Sequence, residues 1–329
     1  SNQRFPSSTH HHQSLPCNRV VVCLAHLRLS MRQYLNIMKS KNTIIVTGAS
    51  GFIGKQLVNR LLLDGFKVFG ITRHDKPPYC DVNLTWISWL TYKGDISEAN
   101  NISAVVNLAT TYGHNNESWN KILESNVTLP LALFKYAIKL GATKIINADS
   151  FFGKPKYYKY QYLKNYTRSK KILIDLSKPL TEEYKIDFIN LRLEHVFGAN
   201  DGPHKFVSKL IRDFQSKKTK IELTDGNQKR DFIYIDDVVE AFICVLKNSS
   251  NQGFFEYEVG TGESIKLKEF CIALANAFGI DADIFQFGMM PQRTNEIMNS
   301  SADIRDLKLI GWSPKWNLTQ AVSDLKAKS

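Results

Sequence analysis

The segment TIIVTGASGFIGKQLVNRLLLDGFKVFGITR, residues 43–73, constrains the fold more than any other part of the chain. Ile44, Ile45 and Val46 form an unbroken apolar run, the pattern of a parallel strand buried on both faces. Three glycines follow at intervals of three: Gly48, Gly51 and Gly54. Beyond them Ile53, Leu57, Leu61 and Leu62 recur at helical spacing until Gly65 stops the helix, and KVFGITR reads as a second strand. A strand, a glycine turn, a helix and a strand within about 30 residues is the setting in which such glycines acquire a physical meaning. Gly48 permits a tight turn off the strand. Gly51 presents no side chain where a pyrophosphate must approach the backbone, and Gly54 lets the helix pack close to the sheet. The amino end of the helix then offers free N–H groups and a positive dipole end to phosphates. The turn Gly48, Ser50, Gly51, Phe52, Ile53 and Gly54 is therefore the expected seat of a dinucleotide on a doubly wound α/β fold.

A second pattern concerns chemistry. YTRSK, residues 166–170, sets Tyr166 and Lys170 four apart. Tyr166, Ile172, Leu173 and Leu176 repeat at helical spacing, so both side chains project from one face, a turn apart. The same spacing suits an exposed amphipathic helix, and the upstream glycine turn weighs against that. A free phenol has a pKa of about 10. A neighbouring ammonium favours the phenolate, so Tyr166 is expected to be pulled down and to exchange a proton near neutral pH.

The spacing in TGASGFIG, G-x-x-G-x-x-G, resembles the extended short-chain dehydrogenase/reductase family of nucleotide-sugar epimerases, dehydratases and reductases. The resemblance runs from about residue 41 to the C-terminus. It implies an acid at the end of the second strand for the ribose of NAD. Here that place falls on Thr72, followed by Arg73. Neither repels a 2′-phosphate, and a guanidinium pairs with one, so NADP(H) is favoured. NAD(H), held by Asp75 with Arg73 as a plain surface charge, is the alternative.

The resemblance further implies adenine contacts from Asp95 and Ile96, a nicotinamide side lined by Leu108, Ala109 and Thr110, and a helix asparagine, Asn126, near the active site. Tyr166 and Lys170 become the catalytic pair, and Lys170 also bonds the nicotinamide ribose. In NADSFFGK, aligned on Gly153, Ala148 stands where the family carries a Ser or Thr. Ala148 and Ser150 share one strand face, so Ser150 is expected to supply the missing hydroxyl to the substrate. The alternative is that the pair acts without one. The dehydratases of the family follow that position with an Asp-Glu pair. Asp149 is present but Ser150 replaces the glutamate, which disfavours dehydration.

Downstream, INLRLEHVFGAND resembles R-x-x-N-V-Y-G with His195 in the asparagine place, either bonding a sugar or phosphate oxygen or packed as a strand histidine. Lys205 lies where the family clamps the nucleotide. KRDFIYIDDVVEAF matches R-D-F-x-Y-V-x-D, which implies a diphosphate contact from Arg230 and a holding role for Tyr234 and Asp237. Arg293 stands where a second diphosphate arginine is common. The phrases DSFFGK, QYLKNYTRSKK and QKRDFIYIDDVV are most similar to CDP-3,6-dideoxyhexose synthases of the abequose and paratose type, which reduce a 4-keto group on a CDP-linked sugar. A nucleotide-sugar epimerase with retained cofactor and a catalytically inactive nucleotide-binding protein are the competing functions.

Charge and composition bound the rest. The formal charge is +12, of which residues 1–40 carry +5 with no acid. The remainder is moderately basic without a Lys/Arg run, which argues against nucleic acid and suits a phosphorylated ligand such as a nucleotide-diphosphate sugar. Five scattered cysteines show no metal or redox spacing, so no metal and a reducing, cytoplasmic setting are expected. VVVCLA near the start is too short to cross a bilayer. Residues 1–40 are expected to be a disordered leader or appended remnant, with Met38 a sensible start; a targeting peptide is the alternative. Residues 41–198, rejoined by about 229–250, should form the dinucleotide domain, and 199–228 with 251–329 the substrate lobe. A homodimer through the helices carrying Asn126 and Tyr166 completes the expectation.

Overall fold

The computed structural model describes residues 43–73, 79–88, 101–248 and 252–329. Its first strand, β1 (Thr43–Thr47), is buried along its whole length. That follows from its position: β1 pairs in parallel with β2 (Lys67–Thr72) on one side and β4 (Ile102–Asn107) on the other. Between β1 and β2 runs α1 (Phe52–Leu63), whose Gly54, Leu57, Val58 and Leu61 are buried. The helix ends at Asp64, and Gly65 follows in the left-handed region at φ 85°, which ends the helix where the sequence says it should.

After β3 (Leu84–Ser88) and β4, a short helix α2 (Trp119–Leu123) passes through one π-turn into α3 (Leu129–Lys139). β5 (Lys144–Ser150) and the long α4 (Lys164–Tyr184) follow, then β6 (Asp187–Leu193) and β7 (His195–Phe197). The second half contains α5 (Phe206–Gln215), β8 (Ile221–Leu223), β9 (Lys229–Arg230), β10 (Phe232–Tyr234) and α6 (Ile235–Lys247). It ends with β11 (Gly253–Val259), β12 (Ile265–Lys266), α7 (Leu267–Phe278), β13 (Phe285–Phe287), α8 (Arg305–Leu309) and α9 (Leu318–Ala327).

Seven strands make one parallel sheet in the order β11-β6-β5-β4-β1-β2-β3. The order reverses between β1 and β4, and loops diverge there to leave a crevice at the carboxyl ends of the strands. The strand side chains sort by parity. Ile45, Val105, Ile145 and Phe188 face a core shared with α3 and α4, including Leu133, Phe134 and Leu173. Ile44, Val46, Ile146 and Leu191 face the other core, with Leu57 of α1 and Val238 of α6.

One expected boundary is corrected. The segment 253–259, assigned to the substrate lobe, is β11, the edge strand of the main sheet, registered on β6 from Gly253 opposite Asp187 to Val259 opposite Leu193. An edge strand is covered less than a central one, so GFFEYEV mixes Glu256 and Glu258 with aromatics and lacks the apolar run of β1. The remaining lobe is tied together by Asp231, which accepts from the N–H groups of Thr261, Gly262 and Ala302 at 2.7–3.0 Å. Tyr234 donates to Asp324, and Asp237 accepts from the N–H groups of Lys315 and Trp316. Among the described residues no helix is long and apolar enough to cross a membrane.

Candidate active site

A cleft of about 1320 Å³ runs along the carboxyl ends of the strands, from the glycine turn to Arg230 and Arg293. Single-ligand sites span roughly 300–1,000 Å³, so this one has room for two ligands end to end. The glycine turn has the geometry its sequence implied. Gly48 adopts φ 64°, and Gly51 N–H donates to Gly48 O at 2.9 Å. A Cβ on Gly54 would lie 2.1 Å from Gly48 O, so no side chain fits there. Gly51 caps α1 without a side chain, which leaves the helix amino end open toward the cleft. These features fit a dinucleotide pyrophosphate.

Several of the residues expected to hold a cofactor line the cleft around it. Thr72 Oγ1 and Ser50 Oγ share a hydrogen bond of 3.0 Å, and exposed Arg73 lines the cleft rim beside them. Leu108, Ala109 and Thr110 line the opposite wall, and the buried Thr110 hydroxyl has no protein partner. Asp95, Ile96 and Asp75 lie outside the described residues. Asn126 is not part of the wall. Its carboxamide accepts from Thr111 N–H at 2.7 Å and donates to Thr111 O and Ser169 Oγ, each at 2.9 Å, so it braces the loop behind the cleft. The π-turn at Glu124–Thr128 turns the asparagine inward to make those bonds.

Tyr166 and Lys170 are brought together on α4 and both are buried, 5% and 3% exposed. Lys170 Nζ donates to Ala148 O at 2.9 Å and lies 5.9 Å from the Tyr166 ring centroid. The expectation of a lowered phenol pKa is corrected. Burial pushes Tyr166 well above its ordinary value, Tyr112 and Asp149 add to this, and a Ser150 hydrogen bond opposes it. Burial also pushes Lys170 down to about 8, against the pull of Asp149. Desolvation works against the charged form of each, raising the phenol and lowering the amine. The phenol therefore keeps its proton at neutral pH. Ser150 stands at the end of β5, where its Oγ also accepts from Phe152 N–H at 3.3 Å. Ala148 contributes its carbonyl to Lys170 and no hydroxyl.

At the other end of the cleft Arg230 is 7% exposed and pairs with Glu296 at 2.7 Å; it also donates to Ile297 O and Lys229 O. Arg293 is exposed, 3.8 Å from the same carboxylate, and lies over the Tyr162 ring at 4.0 Å. Lys205 lies over the Tyr112 ring at 4.1 Å, and that ring sits 4.9 Å from Tyr166. His195 lines the cleft, its ring tilted against Phe151 with centroids 4.4 Å apart. Its Nδ1 is 3.8 Å from Glu194, beyond hydrogen-bond reach, and burial lowers its pKa, so the ring is neutral.

Sequence reasoning missed Glu296, Tyr112, Tyr162 and Lys154. Glu296 had a signal, a carboxylate three residues after Arg293. Tyr112 and Tyr162 stand in polar loops without periodicity. Lys154 is 4% exposed and bridges Glu194 at 2.6 Å and Glu258 at 2.9 Å, which ties the cleft floor to β11.

Comparison with known proteins agrees with this geometry. CDP-abequose synthase of Salmonella typhimurium is 38% identical over 292 residues, 87% of this chain and 97% of that protein. dTDP-4-dehydro-6-deoxyglucose reductase of Escherichia coli is 28% identical over 257 residues, covering 70% and 79%. Among solved structures, MoeE5 in complex with UDP-glucuronic acid and NAD has the same fold, with TM-score 0.75 at 23% identity over 87% of this chain and 98% of that one. Residues 44–260, from β1 through the glycine turn and the Tyr–Lys helix to the end of β11, match one family throughout, and the chain belongs to it: the NAD dependent epimerase/dehydratase family.

Proposed function

We propose that this chain reduces the 4-keto group of a CDP-linked 4-keto-6-deoxy or 4-keto-3,6-dideoxy sugar with NADPH, a step in dideoxyhexose biosynthesis. The observation that carries this reading is the buried, protonated Tyr166 beside Ser150, midway along a cleft between a dinucleotide turn and two arginines. Carbonyl reduction needs an acid at the oxygen, and a phenol held protonated is one. The likeness to CDP-abequose synthase supports the CDP-linked substrate, and Ser150 in place of a glutamate supports reduction over dehydration.

Gly48, Gly51, Gly54, Thr72 and Arg73 would hold the cofactor, which when bound supplies a hydride to the carbonyl carbon. Tyr166 Oη delivers the proton to the carbonyl oxygen, and Ser150 donates a hydrogen bond that polarises it. Lys170, anchored on Ala148 O, faces the same side of α4 and keeps a positive charge near the phenol as it turns over. Arg293 and Arg230 grip the diphosphate away from the reacting carbon, and that remote binding orients the sugar. Glu296 must share or yield Arg230 when the diphosphate enters. The active unit is a homodimer through α3 and α4 in the cytoplasm.

The test is a panel of CDP-, dTDP-, GDP- and UDP-linked 4-keto-6-deoxy sugars with NADPH and NADH. One NADPH oxidised per reduced product, fastest with a CDP-sugar, is the expected result. Isomer exchange without net NADPH loss would instead identify an epimerase, and binding without turnover an inactive nucleotide-binding protein.

A further inference from the structure

Five residues side by side in the central sheet are polar where a sheet covered on both faces calls for aliphatic side chains. They are Thr47, Asn107, Asn147, Asn190 and Glu256, one from each of β1, β4, β5, β6 and β11, and each is the registered partner of the next. The three asparagines have no exposed surface. Their side chains form an unbroken chain. Thr47 Oγ1 donates to Asn107 Oδ1 at 2.7 Å, Asn107 Nδ2 to Asn147 Oδ1 at 2.9 Å, and Asn147 Nδ2 to Asn190 Oδ1 at 2.8 Å. Asn190 Nδ2 ends the chain on two carboxylates, Asp149 at 3.1 Å and Glu256 at 3.0 Å.

The direction of this chain is dictated from both ends. Thr47 Oγ1 accepts from the N–H groups of Leu108 and Ala109 at 3.1 and 3.0 Å, so its own hydrogen must go to an acceptor. At the far end ionised carboxylates only accept, so Asn190 must present its amino group. Each amide between has a single orientation that satisfies both neighbours. Head-to-tail bonds of this kind polarise one another, and removing one member leaves buried groups unpaired on either side.

Placement gives the chain its meaning. Thr47 immediately precedes Gly48, Asn107 precedes Leu108–Thr110, and Asn147 precedes Ala148, whose carbonyl anchors Lys170. Two cleft-lining segments thus leave the sheet one residue past a member of the row, and a third, Ala148–Ser150, continues β5 directly beyond Asn147. Asn147 and Asn190 do not line the cleft themselves. We propose that Asn107, Asn147 and Asn190 are positioning residues: the row holds the Leu108–Ala109 wall and the Ala148–Ser150 strand end at one fixed separation, which sets the cofactor wall against the acid. The placement of the cofactor in that statement rests on the reductase reading.

Residue-resolved hydrogen exchange on the full chain tests the row without any ligand. Asn147→Leu keeps the branched shape of the side chain and removes both bonds. The Leu108 and Ala109 amides, whose acceptor Thr47 lies two strands from the substitution, should exchange at least tenfold faster, as should residues 148–152, with α7 unchanged. Thr47→Val, nearly isosteric, should release the Ala109 amide if Asn147→Leu does not fold, and Leu108 less, since its N–H also reaches Thr47 O at 3.3 Å. In turnover, either variant should lower kcat about 30-fold or more, with KM for NADPH and sugar nucleotide within threefold. Unchanged exchange at Leu108 and Ala109 in folded Asn147→Leu would overturn the proposal, as would unchanged kcat. If the wild-type chain turns over no sugar nucleotide, the reductase reading fails, and the exchange arm still judges the row.

Discussion

Lys170 offers the sharpest separation of stability from function. The residue is 3% exposed, its ammonium donates to the neutral Ala148 carbonyl, and burial holds its pKa at about 8. The fall from 10.5 corresponds to about 3 kcal/mol by which the charged form destabilises the fold at neutral pH. Lys170→Met removes that charge while keeping the length of the chain. It leaves Ala148 O unpaired, which offsets about 1 kcal/mol. The net expectation is a gain of about 2 kcal/mol at pH 7, or about 4 °C in Tm. The pH dependence has a definite sign. Below about 8 both folded and unfolded chains keep the proton, and the destabilisation is complete. Between about 8 and 10.5 the folded chain sheds it while the unfolded chain holds it, so wild-type stability rises with pH. The difference between variant and wild type should therefore shrink across that window. Urea unfolding at pH 7, 8.5 and 9.5, with turnover measured in parallel, checks this. A methionine variant that is less stable at pH 7, or a difference that does not change with pH, refutes the reasoning. Turnover should fall at least 100-fold regardless.

Tyr166→Phe should retain cofactor affinity and melting temperature within experimental scatter while turnover drops about 1,000-fold or more, as single-turnover kinetics would show. Arg230→Ala leaves Glu296 buried without its partner and should destabilise the fold by about 3–5 kcal/mol in urea unfolding. Arg293→Ala, at an exposed site, should change stability by less than about 0.5 kcal/mol and raise only the KM for the sugar nucleotide. Gly54→Ala drives a Cβ to 2.1 Å from Gly48 O and should abolish cofactor binding in calorimetry even if some folded protein survives. Arg73→Glu should weaken NADPH by about 10-fold to 100-fold and leave NADH nearly unchanged, which competition assays would resolve.

Much of the cofactor half was legible because its determinants are local. Gly48 and Gly54 are dictated by backbone approach within one turn, and the Tyr166–Lys170 pair by one turn of α4. The substrate half was legible only where a family phrase marked it. Nothing in the order of residues announces that Glu296 reaches Arg230, that Lys205 covers Tyr112, or that Lys154 threads between Glu194 and Glu258. Each of those contacts joins loops far apart along the chain, and charge or aromaticity alone does not say which partner is reached. Asn126 was marked by its match to the family's helix asparagine, and in the fold its carboxamide bonds Thr111 and Ser169. GFFEYEV looked like lobe because an edge strand need not be apolar on both faces.

By itself the order of residues determined a parallel sheet opening on a glycine turn, and a phenol and an amine on one helix face. Those follow from periodicity and from the steric limits of single turns. Only the tertiary structure decided the direction in which the pair is shifted, because burial, which no local pattern measures, is the largest influence on both. It alone also aligned three isolated asparagines into one hydrogen-bonded row, since strand register is a property of the assembled sheet.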